Sequence, residues 1–132
     1  HNILPCNVNL KRWRKIDNST CRICNEEETI EHMLFYCNFS ANIWREFFQK
    51  TKLYVTLDDV IIGLKSNVIT IVISIIAYAI FRTWTFENMH NVRRNNQGSL
   101  KDVEHYVKHQ AILYKQIGWS NISDFITDKL FP

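Results

Sequence analysis

The chain has 132 residues, a formal net charge of +3, and 46% hydrophobic residues with 13% aromatics. That is long enough for one real core and too apolar for a disordered tail, and the mild charge permits contact with a nucleic acid without demanding it. With three glycines and two prolines, turn signals are too sparse for a many-stranded sandwich, so helices are favoured.

Residues 5–16 read as a short helix. Pro5 suits a first turn, where its missing N–H costs no hydrogen bond. Trp13 stands among Lys11, Arg12, Arg14 and Lys15, a mixture suited to phosphate contact with base stacking. The same pattern also fits a solvated helix face with Trp13 turned to the core. Asp17 to Thr20 is a turn.

Three of the four cysteines follow within 17 residues, as Cys21-x2-Cys24-x7-His32-x4-Cys37. Two cysteines two residues apart can aim both sulfurs at one centre, and a histidine with a third cysteine completes a tetrahedron. This is the donor set of a closed structural zinc site. A redox pair at Cys21 and Cys24 is the competing reading. It lacks the strand-then-helix setting such pairs have, and it leaves His32 and Cys37 unexplained. Asn25 to Glu28 reads as a polar, acidic loop. Thr29 is placed to N-cap a short helix with Glu31 in its first turn. Five residues separate His32 from Cys37, more than one α-turn, so this helix must end or distort for both to reach one metal. Three thiolates, a neutral imidazole and a divalent ion sum to −1, and Glu26, Glu27, Glu28 and Glu31 add to it. Arg22 is the nearest cation in sequence.

Beyond the cysteines, Ser40 opens a helix over about 41–52 with Ile43, Trp44, Phe47 and Phe48 on one face. Thr56-Leu57-Asp58-Asp59 fits a capping box. Adjacent residues on a helix diverge by about 100°, so Asp58 and Asp59 read as cap and dipole residues rather than a metal pair. Residues 67–88 hold the most apolar run, in a helix expected to continue to about His90. Its uncharged part, Ser66 to Phe81, is 16 residues, short of the ~18–20 that cross a bilayer, so a buried central helix is expected and no membrane partner. Asn91 to Ser99 is a polar loop carrying Arg93 and Arg94, a second place for backbone contact with a nucleic acid. Ser99 with Asp102 starts an amphipathic helix through Leu100, Val103, Val107, Ala111 and Tyr114, and Gly118 ends it. His105 and His109 on that helix read as surface residues, and Cys6 as a packed one. Ile122, Phe125, Ile126 and Leu130 suggest a last short helix. No nucleophile stands beside a base, and no catalytic residue is assigned.

The run Cys21-Arg-Ile-Cys24, Glu28-Thr29-Ile-Glu31-His32, the apolar residues leading to Cys37, and Trp44 seven positions later resembles the zinc-binding domain at the C-terminal end of reverse transcriptases from non-LTR (LINE-type) retrotransposons. Leu4-Pro5, Asn9-Leu10 and Trp13 to Ile16 also resemble the segment before the cysteines in that family. The likeness is specific over about the first 50 residues and loose over 57–115. It implies a zinc-binding accessory domain that helps a polymerase, encoded upstream, hold template RNA or target DNA. The retroviral nucleocapsid knuckle shares the ligand order but has a shorter middle gap, so its grip on single-stranded RNA is not carried over.

The expected fold is mostly α: a zinc-stabilised lobe over 1–40 packed on a helical body over 41–132. The expected zinc ligands are Cys21, Cys24, His32 and Cys37. The nucleic-acid contacts expected are Lys11, Arg12, Trp13, Arg14, Lys15, Arg93 and Arg94, with RNA or DNA and an upstream reverse transcriptase domain as partners. The first residue is histidine, so a longer polyprotein is expected. The absence of an apolar leader and the metal-like cysteine spacing point to an intracellular setting, nuclear or cytoplasmic. A zinc-stabilised protein-interaction module and an inactive element remnant are the alternatives.

Overall fold

The apolar run folds as the expected long helix, and the other elements assemble on it. The computed structural model describes residues 11–12, 20–21, 23–61, 67–90 and 96–132, the side chains of 88–90 and 96–97 excepted. In chain order the helices are α1 (His32–Tyr36), α2 (Asn38–Thr51), α3 (Leu57–Ile61), α4 (Val68–His90), α5 (Asn96–Gln116), α6 (Ser120–Phe125) and α7 (Ile126–Leu130). Among the described residues there is no strand, only one antiparallel bridge between Thr20 and Glu27.

α4 starts where Asn67 accepts the Thr70 amide at 2.9 Å, a side-chain N-cap. Val72, Ile73, Ile75, Ile76, Ala77, Ala79, Ile80 and Trp84 are buried, each larger one contributing about 1.5–3 kcal/mol of apolar transfer. By length and composition Val68–Glu87 could cross a membrane, but half of that window is buried within the protein. α1, α3, α5 and α6 pack against it. Its outer positions are Ser74, Tyr78, Arg82 and Phe86, four residues apart.

Local signals account for most helix ends. Thr56 and Asp59 form a reciprocal capping box, with the Thr56 amide donating to Asp59 Oδ2 at 2.9 Å and the Asp59 amide to Thr56 Oγ1 at 3.2 Å. The Gly118 amide donates to the Lys115 carbonyl at 3.2 Å and the Trp119 amide to the Tyr114 carbonyl at 2.8 Å. With the Tyr114 and Trp119 rings 5.9 Å apart, this is a Schellman ending with its apolar contact. α6 and α7 form the expected last helix and bury Ile122, Ile126 and Leu130.

Two starts differ from expectation. α2 begins at Asn38, before Ser40, because Cys37 caps it with extended backbone, φ −56° and ψ 142°. α5 begins at Asn96, so Ser99 lies in its first turn and does not cap it. The Ser99 hydroxyl instead donates to Glu87 Oε1 at 2.7 Å inside the core, tying α4 to α5. The expected lobe and body meet inside α2: Met33 and Leu34 share one buried cluster with Phe39, Trp44, Ile80 and Trp84, and the Phe39 and Trp84 rings stack at 4.8 Å.

Gly118 has φ +92°, and no heavy atom stands within 4 Å of where a Cβ would be. Only backbone strain therefore opposes a side chain there. Gly118→Ala should lower stability by about 1–2 kcal/mol in urea unfolding with the fold kept; an unchanged midpoint would show that the helix does not end in this conformation.

Candidate metal centre

The four ligands expected from spacing come together. One donor atom from each of Cys21, Cys24, His32 and Cys37 lies within 4.8 Å of the others. Cys37 Sγ is 3.7 Å from Cys21 Sγ and 3.7 Å from Cys24 Sγ. A disulfide needs about 2.05 Å, so these are not bonded pairs. With a zinc–sulfur bond of about 2.3 Å, two sulfurs of a regular tetrahedron sit roughly 3.8 Å apart. The observed spacing is that of the tetrahedral edge.

Cys21 and Cys24 sit in a tight turn. The Cys21 amide donates to the Glu26 carbonyl at 2.7 Å, and the Asn25 amide returns to the Cys21 carbonyl at 3.0 Å. Asn25 closes the turn at φ 59°, a left-handed conformation that asparagine tolerates better than most residues. The amides of Cys24 and Ile23 hydrogen-bond Cys21, and the Asn38 amide donates to Cys24 Sγ at 3.4 Å. Such N–H donors stabilise thiolate.

His32 and Cys37 meet through a change of helix type. Thr29 Oγ1 accepts the His32 amide at 3.1 Å, and the Met33 amide bonds the Thr29 carbonyl at 2.9 Å, as an α-helix start requires. From His32 the chain winds as a π-helix, and the Cys37 amide closes a five-residue turn on the His32 carbonyl at 2.7 Å. In an α-helix, residues five apart point about 140° away from each other. The wider turn returns Cys37 to the side of His32. Two carbonyls left by the ending helix are taken from α2: Ser40 Oγ donates to the Met33 carbonyl, and Trp44 Nε1 to the Leu34 carbonyl at 2.8 Å.

The imidazole gives the independent test of fit. His32 is 6% exposed, and its Nε2 has no hydrogen-bond partner among the described residues. A buried ring nitrogen left bare is costly, and coordination would remove that cost. Nδ1 lies 3.9 Å from Glu26 Oε2, the outer carboxylate that commonly orients a ligating histidine. Without metal, the Cys37 thiol donates toward Cys21 and holds Cys21 down at about 5, helped by the knuckle amides. Cys37 is pushed up by the same hydrogen bond and by burial. Four protein donors would close the coordination sphere, so zinc here would crosslink the turn to α1 and α2 and leave no position for a substrate.

The acidic loop is not uniformly solvated. Glu26, Glu27 and Glu31 are exposed, but Glu28 is 1% exposed and partnered inside the protein, against the expectation of a polar loop. Lys11 and Arg12 are helical and exposed. Trp13, Arg14, Lys15, Arg93, Arg94, Cys6 and Arg22 lie outside the described residues. His105 and His109 are exposed on α5.

A helical protein stitched at one end by a closed Cys3His set belongs to the structural-zinc class. Residues 1–44 match the zf-RVT family, described as zinc-binding in reverse transcriptase, so the first third of the chain is a zinc-binding module associated with reverse transcriptases. No curated protein and no solved structure matches the chain.

Elemental analysis of protein purified under reducing conditions should give one zinc per chain. Cys37→Ser should lose it together with part of the helical signal, because Cys37 both ligates and caps α2. Zinc retained at full stoichiometry in that variant would refute the assignment. Loading must expel the Cys37 proton, so affinity should fall on acidification by about tenfold or more per pH unit between pH 8 and 6, read by competition with a chromophoric chelator. Below about 5, protonation of Cys21 should steepen the loss.

Proposed function

We propose that the chain is a non-catalytic accessory domain of a non-LTR retrotransposon reverse transcriptase. It would hold template RNA or target DNA for a polymerase domain elsewhere in the same polyprotein, in the nucleus or cytoplasm. The carrying observation is the clustered Cys21, Cys24, His32, Cys37 donor set within a segment that matches the reverse-transcriptase zinc family. A closed set folds the chain but does no chemistry, so the contribution is to binding. The exposure of Lys11 and Arg12, ten residues or fewer before the first ligand, supports phosphate contact by the Lys11–Lys15 segment. Free thiols at Cys21, Cys24 and Cys37 fit a reducing compartment.

A second reading, a zinc-stabilised protein-interaction module, has the exposed Ile112, Ile117 and Trp119 near the end of α5 in its favour. A salt titration separates the two. Zinc-loaded protein should bind RNA or DNA with an affinity that falls as salt rises. Replacing Lys11, Arg12, Arg14 and Lys15 with alanine should weaken it and flatten the log–log slope by up to about 3 on a single strand. No measurable binding at low salt would favour the interaction module; binding with an unaltered slope would remove the basic segment from the interface.

A further inference from the structure

Outside the metal ligands, one surface combines aromatic rings with a cation that has no carboxylate partner among the described residues. Tyr78 and Arg82 are successive outer positions of α4, and Tyr106 faces them from α5. The Tyr78 and Tyr106 ring centroids are 5.7 Å apart with planes at 46°, so neither ring covers the other. Tyr78 is 52% exposed. The Arg82 guanidinium lies 4.8 Å from the Tyr106 ring centroid. No carboxylate pairs with Arg82 among the described residues. Phe81 extends the cluster, 5.8 Å from Tyr78. On the far side of these two rings the surface dips into an apolar hollow of about 260 Å³ lined by Ile30, Leu34, Val60 and Ala77. Ile30 and Leu34 come from the helical stretch that carries His32, two residues either side of it, and so line the hollow from that helix.

These groups have the chemistry of a single-strand platform. The exposed Tyr78 ring accepts bases of any identity, Tyr106 with Arg82 on its face flanks it, the guanidinium, with no carboxylate partner among the described residues, accepts a phosphate, and the apolar hollow offers no edge readout. A protein partner would meet the same rings, but an arginine with no carboxylate partner among the described residues is complementary to a polyanion. The geometry points to Tyr78, Tyr106 and Arg82 as a stacking site for single-stranded nucleic acid, separate from the Lys11–Lys15 segment. The inference rests on the nucleic-acid reading of function, and it adds where bases, not only phosphates, are held.

The test is fluorescence anisotropy of the full, zinc-loaded chain with a short single-stranded RNA and with an abasic strand of the same length. Wild type should prefer the base-bearing strand. Tyr78→Ala and Tyr106→Ala should each weaken it by about five- to a hundredfold and abolish the preference, while the phenylalanine variants retain it. Arg82→Ala should reduce the salt slope by about 0.7. Circular dichroism checks that each variant is folded; Tyr78 is exposed, so its variant stands even if Tyr106→Ala does not fold. Equal wild-type affinity for both strands would overturn the platform and leave backbone binding intact. Failure to bind either strand would overturn both readings. A preference that survives in folded Tyr78→Ala would place the bases elsewhere.

Discussion

The interval between His32 and Cys37 is the constraint on which the rest of the zinc module depends. Five residues do not fit an α-turn, yet two metal ligands must face one point. The chain widens into a π-turn, closed by the Cys37 amide on the His32 carbonyl. That turn leaves the Met33 and Leu34 carbonyls near a helix end, inside the core, and each finds a side-chain donor seven or ten residues later. Ser40 and Trp44 thus serve the metal centre without touching it. The same two residues lie on the inward face of α2, so the local distortion and the global packing are settled by one short segment.

Cys37 is also where the zinc module and the helical body become inseparable. It is ligand, end of α1 and N-cap of α2 at once. Two residues on, Phe39 stacks on Trp84 of the central helix. Loss of metal would leave thiols 3.7 Å apart without a common partner and a bare buried imidazole nitrogen at the turn that feeds into the main core. A small loop cannot bury enough apolar surface to fix itself. Here the metal supplies what the loop lacks, and the body supplies the wall against which Met33 and Leu34 are buried.

Much of this could be read from the chain because the signals are local. Ligand spacing, the Thr29 cap, the Thr56–Asp59 box, Gly118 and the apolar length of α4 each act within a few residues, and the structure keeps them. What could not be read depended on partners far away in sequence. Ser99 looks like a cap until Glu87 is placed beside it; a buried carboxylate then claims the hydroxyl and the helix starts earlier. Glu28 looks like a loop acid until the fold closes over it. The need for distortion before Cys37 was legible from counting, but its form, a π-turn rather than a helix end, was not. Asn25 carried a usable local signal: an asparagine directly after a Cys-x-x-Cys pair suits the left-handed turn it adopts.

Charge then decides how such a module can meet a polyanion. The metal with its three thiolates carries a net negative charge, and Glu26, Glu27 and Glu31 are exposed on the same stretch. A phosphate backbone brought to that face would be repelled. The zinc set is therefore better understood as a positioning device than as a contact. It would tie the turn at Cys21 to α1 and α2, and through Phe39 to the central helix. In the proposed binding role the contacts fall to cations outside the acidic stretch, such as Lys11, Arg12 and Arg82, all of them exposed.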